Sequence, residues 1–151
     1  MSQVFIGYDN HGIDGVDDDC IRFIFDVVLG SLKRDMNLEV GLVIADEKKM
    51  QDLNKKYCGK DKPTNVLSFT NSEIPDLADN PELQDKNYLG DVYICYQILL
   101  DEAKTMKISN RERFSQLFVH GLLHLNGFDH EDPSETKKME EMEDKICELI
   151  L

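Results

Sequence analysis

The sequence predicts a single α+β domain over residues 1–151, in which a four-stranded mixed sheet packs against about five helices. Four short, β-rich apolar segments are separated by segments whose apolar residues recur at the period of a helix. The segments follow the order strand, helix, strand, helix, two strands and then helices, which is typical of an α+β fold. A length of 151 residues suits one domain with a core of its own.

The first half of the chain predicts two strands and two helices. Val4–Tyr8 is a short β-rich run, and Ile21–Leu32 carries apolar residues at the i, i+3, i+4 spacing of one helix face. Residues 38–45 are almost continuously apolar, as expected of a central strand. Asp46 can then cap the second helix, and Pro63 ends its pattern.

The middle of the chain predicts two further strands and a third helix. The strands are expected at 66–69 and 90–95, and the helix at 97–107. Residues 72–87 contain two prolines and many acidic side chains with little periodicity. We expect this segment to be a surface loop.

The last two helices have clear start signals. Ser109 and Glu112 form a capping box for the fourth helix, and Asp132, Pro133 and Glu135 form the corresponding start of the fifth. An apolar stripe at helical spacing runs along the fourth helix through Phe114, Leu117, Phe118, Gly121, Leu122 and Leu125. The fifth helix is expected to bury Met139, Met142, Ile146 and either Leu149 or Ile150.

Three of the four histidines in the chain lie between residues 120 and 130. His120 and His124 are four residues apart, so a helix presents both imidazoles on one face. Gly127 can take the left-handed conformation that ends a helix, after which the chain turns back with His130. Three converging imidazoles with a fourth position open to water are typical of a catalytic zinc site. The sequence therefore predicts one Zn²⁺ on a core helix and the turn that follows it.

The histidine spacing matches the long zinc signature H-E-x-x-H-x-x-G-x-x-H, except that Gly121 stands at the position of the Glu. In zinc peptidases that Glu is the general base that takes a proton from the metal-bound water. Glycine has no group that can do this. The pattern thus predicts a metal site without predicting peptidase chemistry.

The charge of the chain is strongly and unevenly negative. A formal net charge of −13 argues against non-specific binding to nucleic acid, whose phosphates would be repelled. Lys55, Lys56, Lys60 and Lys62 nevertheless cluster within eight residues. This cluster is either a solvated loop or a local cationic patch in an acidic protein.

The sequence predicts a protein that is neither secreted nor embedded in a membrane. Its apolar runs are too short to span a bilayer, and its N-terminus lacks a basic region followed by an apolar stretch. A cytoplasmic location is expected. In that compartment most of the four scattered cysteines are expected to be free, buried thiols.

Three segments of the chain together resemble the YbeY family, bacterial metal-dependent endoribonucleases that mature ribosomal RNA. The stretch from His120 to His130 resembles the family signature H-G-x-L-H-L-x-G-x-D-H. Residues 59–69, which read Gly-Lys-Asp-Lys-Pro-Thr-Asn-Val-Leu-Ser-Phe, resemble a second family segment, and residues 89–92 resemble a third. The resemblance runs over roughly residues 38–145 in the same order and spacing.

This resemblance implies a fold, a ligand set and a substrate. It implies that His120, His124 and His130 hold a catalytic zinc ion and that the protein cleaves single-stranded RNA. The implied roles are maturation of the 3′ end of small-subunit ribosomal RNA and ribosome quality control. The implied partners are ribosomal RNA and the small ribosomal subunit with its proteins. Lys56, Lys60 and Lys62 would then bind the substrate. Asp91 and Asp129 are candidates for a general base by motif position, but a strand-end or partner-surface role suits Asp91 better. Asp129 is better suited to orienting a histidine or capping the turn.

One departure from the family keeps other functions open. Cys58 stands where the family usually has an Arg that is thought to engage RNA phosphate, and a thiol cannot replace a bidentate cation. The alternatives are a zinc hydrolase of another substrate and a non-catalytic ribosome assembly factor with a structural metal. The sequence also leaves open whether water or the RNA 2′-OH is the nucleophile.

Overall fold

The computed structural model describes residues 2–74 and 87–151, which form four strands and five helices. The strands are β1 (Gln3–Tyr8), β2 (Glu39–Ala45), β3 (Val66–Thr70) and β4 (Tyr88–Cys95). The helices are α1 (Asp18–Ser31), α2 (Glu47–Cys58), α3 (Tyr96–Met106), α4 (Asn110–Leu125) and α5 (Pro133–Ile150). The predicted α+β class and the order of the elements are confirmed.

The four strands form one mixed sheet in the order β1-β2-β4-β3. The first three strands in that order are parallel, and β3 pairs antiparallel with β4 at the edge. The last strand in the sequence is therefore inserted between β2 and β3. The predicted mixed sheet is confirmed, and its strand order, which the sequence did not predict, follows from this insertion.

The predicted helix starts are confirmed by hydrogen bonds from backbone amides to capping side chains. Asp46 accepts from the Lys49 amide at 2.8 Å, and Ser109 accepts from the Glu112 amide at 3.0 Å. Asp132 likewise accepts from the amide of Glu135 at 2.8 Å, with Pro133 in the first turn. Each cap satisfies one of the amides that a helix start leaves without an intrahelical partner.

The two faces of the sheet are covered unequally. Alternate residues of a strand point to opposite faces, so Val92 and Ile94 of β4 join the main core with α1, α4 and α5. The opposite face holds a smaller cluster around Met50 of α2, which includes Cys95 and the half-buried Tyr93. The helix that carries two of the three clustered histidines thus packs on the main-core face.

Several details of the sequence prediction are resolved by the side chains. Ile150 is partly buried against the core, whereas Leu149 is 59% exposed, so Ile150 is the one of the two that faces the core. The four cysteines are free thiols, and Cys58 is exposed.

Most of the expected surface loop at 72–87 lies outside the described residues. Among the helices of the described ranges, none has both the length and the apolar character needed to cross a bilayer.

The pairing of β3 with β4 depends on Gly90, and we predict that Gly90→Ala destabilises the fold. Gly90 has φ +144°, and a Cβ there would lie 2.1 Å from the backbone oxygen of Phe69. Strained backbone of this kind costs about 1–3 kcal/mol, and the clash with a strand backbone adds to it, so the free energy of unfolding should fall by about 2 kcal/mol or more. Urea unfolding followed by circular dichroism measures this change.

The matched control for that prediction is Gly30→Ala in the last turn of α1. A Cβ at Gly30 meets nothing within 4 Å, and alanine is a better helix former than glycine. This variant should keep or slightly raise the stability of the native protein. Equal stability of the two alanine variants would contradict the account of Gly90.

Candidate metal centre

Helix α4 lies close against the sheet because position 121 has no side chain. A Cβ on Gly121 would stand 2.8 Å from Val92 Cγ1 and 3.6 Å from Val66 Cγ2. Nine residues of α4 are buried, and they include all six members of the predicted stripe. This packing fixes the helix and leaves His120 and His124 at its half-buried edge.

The turn after α4 brings the third histidine back toward the first two. The helix ends at Asn126, and Gly127 follows with φ +95°. The amide of Phe128 donates to the carbonyl of Leu123 at 3.0 Å, and the Phe128 ring packs against the main core. The left-handed glycine reverses the chain, and the partly buried Phe128 ring anchors the reversed segment, so that His130 faces the helix edge.

His120, His124 and His130 form one compact group, which we call the histidine cluster. Each offers a ring nitrogen, and these atoms lie within 4.8 Å of one another. The Nε2 atoms of His120 and His124 are 3.2 Å apart. Two nitrogens bound to one tetrahedral zinc ion at about 2.0–2.1 Å stand about 3.4 Å apart, so this spacing fits a shared metal.

The electrostatics of the cluster keep a lone pair available on His124. Burial, and then the neighbouring His120 and His130, lower the pKa of His124 below that of a free imidazole. Neutral imidazole is the form that binds a metal ion. Two neutral ring nitrogens at 3.2 Å repel unless a proton or a cation lies between them, so the donor set suits a bound cation.

Glu143 of α5 orients His120, a contact that the sequence analysis missed. Its Oε1 accepts from His120 Nδ1 at 2.6 Å, and both side chains are partly buried. With the proton held on Nδ1, the lone pair of Nε2 faces the other histidines. The available signal was spacing: Glu143 stands four residues after Met139 and three before Ile146, the two residues that α5 buries.

The packing of Gly121 also accounts for the departure from the peptidase signature. A side chain at position 121 would enter the contact with Val92 and Val66 of the sheet. A Glu could not be added there without moving the helix or the strand. The structure thus gives a reason, independent of the missing carboxylate, why this site does not use the general base of the zinc peptidases.

The two aspartates singled out by motif position lie in different places. Asp129 accepts from the backbone amide of His130 at 2.7 Å, and its carboxylate is 3.9 Å from His130 Nδ1, so it holds the turn beside the cluster. Asp91 alternates with Val92 and therefore points to the sheet face away from α4. There it accepts a hydrogen bond from the Tyr88 hydroxyl, and burial raises the pKa of Asp91. The structure does not bring Asp91 to the histidine cluster.

The segment with the predicted substrate lysines is fixed by one buried side chain. Asn54 of α2 is 3% exposed and donates through Nδ2 to the backbone oxygen of Lys62 at 2.9 Å. Its own backbone oxygen accepts from the amide of Lys60 at 3.2 Å. Lys56, Lys60 and Lys62 are all exposed, and the chain runs from them to Asn65 and Val66 beside His120.

Comparisons with known proteins agree with this arrangement. The family model described as Endoribonuclease YbeY matches residues 9–150. An Endoribonuclease YbeY of Hydrogenovibrio crunogenus is 38% identical over 129 residues, which cover 85% of this chain and 79% of that protein. The chain belongs to the YbeY endoribonuclease family.

One further YbeY relative supports the same assignment, and one solved structure supports the fold. The Endoribonuclease YbeY of Colwellia psychrerythraea is 43% identical over 123 residues, covering 82% of this chain and 74% of the relative. The solution structure of a Thermotoga maritima protein matches with a TM-score of 0.61 and 23% identity, covering 97% of this chain and 88% of the other. At that identity the structural match supports the YbeY fold alone.

The contact between Glu143 and His120 predicts a measurable effect on metal affinity in this YbeY family member. Glu143→Gln keeps the shape of the side chain but removes the charge that holds the proton on Nδ1. Loss of such an orienting partner typically costs about 10- to 100-fold in metal affinity. Competition for zinc with a chromophoric chelator measures the dissociation constant.

Glu140→Gln is the matched control, because Glu140 lies on the same helix and is exposed. It removes the same charge without touching His120. Equal losses of affinity in both variants would show that the effect is the general charge of α5 and not the contact.

Proposed function

We propose that this chain is a zinc-dependent endoribonuclease that cleaves single-stranded RNA, with the metal held by His120, His124 and His130. The observation that carries the proposal is the convergence of three ring nitrogens within 4.8 Å in a member of an endoribonuclease family. Imidazole ligands suit zinc, which prefers four-coordinate sites and keeps one position open when it is catalytic.

The residues of the chain supply the binding and orientation that this reaction needs. Zinc, when bound, would polarise the phosphate and lower the pKa of a water molecule to roughly 7. Glu143 keeps the proton of His120 on Nδ1, and Asp129 holds the turn that delivers His130. If the RNA 2′-OH is the nucleophile, a zinc-bound hydroxide held by the three histidines would take its proton, and a carboxylate base at position 121 would not be needed.

The proposed substrate is ribosomal RNA, which would bind to a local cationic segment of this acidic protein. Lys56, Lys60 and Lys62 are exposed and precede the strand that borders His120, and this supports a role for them in binding the phosphates of RNA. A net charge of −13 disfavours binding to RNA elsewhere on the surface. We propose that the protein acts in the cytoplasm on the small ribosomal subunit, whose basic proteins would attract its acidic surface.

Cys58, at the position where the family usually has Arg, is exposed at the end of α2. The histidine cluster found among the described residues consists of His120, His124 and His130, without the Cys58 thiol. We therefore propose that Cys58 is not a metal ligand and that the exposed lysines supply the cationic charge.

The proposal predicts metal-dependent cleavage of an end-labelled single-stranded RNA. His124→Ala, prepared identically, should reduce the rate at least about 100-fold, because losing a ligand exceeds the 10- to 100-fold cost of losing an orienting partner. His11→Ala is the control, since His11 packs against the Tyr96 ring, outside the cluster. Equal cleavage by the native protein and both variants would indicate a contaminating nuclease and contradict the proposal.

The proposal also predicts that the protein stays folded without metal. The histidines are half-buried or exposed, whereas the main core is built from apolar side chains of the sheet and of α1, α4 and α5. Treatment with chelator should therefore leave a cooperative thermal transition, lowered only by the loss of bound ligand, about 2.7 kcal/mol at 100 times the dissociation constant.

In His124→Ala the chelator should not move the melting midpoint. A native protein that loses its near-ultraviolet circular dichroism in chelator at 25 °C would instead have a structural metal, as expected of a non-catalytic assembly factor.

A further inference from the structure

A cavity of about 330 Å³ opens beside His120, between the start of β3, α4 and α5. Its polar wall is formed by Asn65, Arg113, Gln116, His120, Glu143 and Asp144. Pockets for small ligands span about 300–1,000 Å³, so this volume suits a single nucleotide unit. Because His120 belongs to the wall, whatever occupies the cavity lies next to the proposed metal.

Hydrogen bonds along one wall fix which groups remain available to a ligand. Arg113 donates through Nε and Nη2 to Glu102 Oε1 at 3.1 and 3.0 Å, and through Nη1 to Gln116 Oε1 at 2.8 Å. The carbonyl oxygen of Gln116 is thereby used, which leaves its amino group as a donor.

The side-chain amide of Asn65 is engaged the other way round from that of Gln116, through its nitrogen and not its oxygen. Its Nδ2 donates to both carboxylate oxygens of Glu102 at 3.3 Å, which leaves the carbonyl oxygen as an acceptor. Asp144 adds an exposed carboxylate to the same lining. The wall therefore offers an amide donor, an amide acceptor and an anionic acceptor, the kinds of group that read the edge of a nucleobase.

The charge of the cavity decides between a base and a phosphate as its occupant. The guanidinium of Arg113 is paired with Glu102 at 3.0 Å, and the two side chains are only 17% and 31% exposed. Glu143 is engaged with His120, and Asp144 adds a further negative charge. A phosphate would meet net negative charge here, whereas the amino group of a base would find acceptors.

We infer that this cavity is a nucleobase subsite that favours a base with an exocyclic amino group over uracil, at the nucleotide next to the cleaved bond. A carboxylate accepts from the amino group of cytosine but faces the lone pairs of the corresponding uracil oxygen. The inference rests on the proposed ribonuclease function, whose substrate preference it specifies. Asp144 is the residue assigned to this discrimination.

The test compares two short end-labelled RNAs, an oligouridylate and the same oligomer with one central cytidine. The native protein should cleave beside the cytidine about five-fold faster than at the corresponding uridine, the lower end expected for one good polar pair to a base. Asp144→Asn should bring this ratio close to one. Asp52→Asn, which removes an exposed charge from α2, should keep the native ratio.

Two outcomes would overturn the inference. A native ratio near one would show that the cavity does not select a base. Faster cleavage of both oligomers by Asp144→Asn at an unchanged ratio would show that Asp144 merely repels phosphate, so that the cavity lies along the RNA backbone.

A binding measurement separates failure of this inference from failure of the proposed function. In His124→Ala, which is expected not to cleave, the anisotropy of a labelled oligomer reports the dissociation constant for each RNA. A preference for the cytidine oligomer that disappears when Asp144→Asn is added supports the subsite, even if the native protein cleaves neither RNA. Equal dissociation constants for the two oligomers overturn it.

Discussion

The close contact between α4 and the sheet at Gly121 determines the position of everything at the site. A side chain there would stand 2.8 Å from Val92, so glycine allows the helix axis to approach the central strand β4. Around this contact the helix buries nine residues and cannot rotate without exposing them. His120 and His124 therefore occupy a fixed edge of the helix, and the same contact leaves no room for the Glu of a zinc peptidase. One packing constraint thus determines both the position of the two helix histidines and the absence of the peptidase Glu beside them.

The histidine cluster depends on elements that are far apart in the sequence. The turn at Gly127 is held by Phe128, whose ring reaches the core, and it presents His130 to the helix edge. Helix α5 then crosses back over α4 and places Glu143 against His120 at 2.6 Å. Each part is anchored by its own buried residues, such as Met139 and Ile146 on α5. The apolar core thereby sets the geometry of the polar site, and no ion is required to explain the fold.

Charge is organised differently around the two sides of the proposed site. The exposed Lys56 lies on α2, and the exposed Lys60 and Lys62 follow that helix, where Asn54 holds their backbone. We propose that these three lysines bind the phosphates of RNA. The side chains of the cavity beside His120 instead carry net negative charge, because Arg113 is paired with Glu102 while Glu143 and Asp144 add carboxylates. Burial and the nearby Glu143 and Asp144 also raise the pKa of Cys147 to about 11, so its thiol stays neutral there. This difference in charge is the basis for proposing that the lysines bind the RNA backbone and that the cavity binds a base.

The sequence by itself determined the elements, their caps and the histidine cluster. These features depend on residues close along the chain: Asp46, Ser109 and Asp132 cap amides three residues away, and His120 and His124 share a helix face through their spacing. The tertiary structure alone decided the insertion of β4 between β2 and β3, the position of Asp91 on the far face, and the contact of Glu143 with His120. Glu143 is one of many acidic residues on α5, and only the packing of that helix against α4 distinguishes it. Local hydrogen bonds and periodicity depend on neighbouring residues, whereas contacts between distant segments depend on how whole faces of helices and sheets pack.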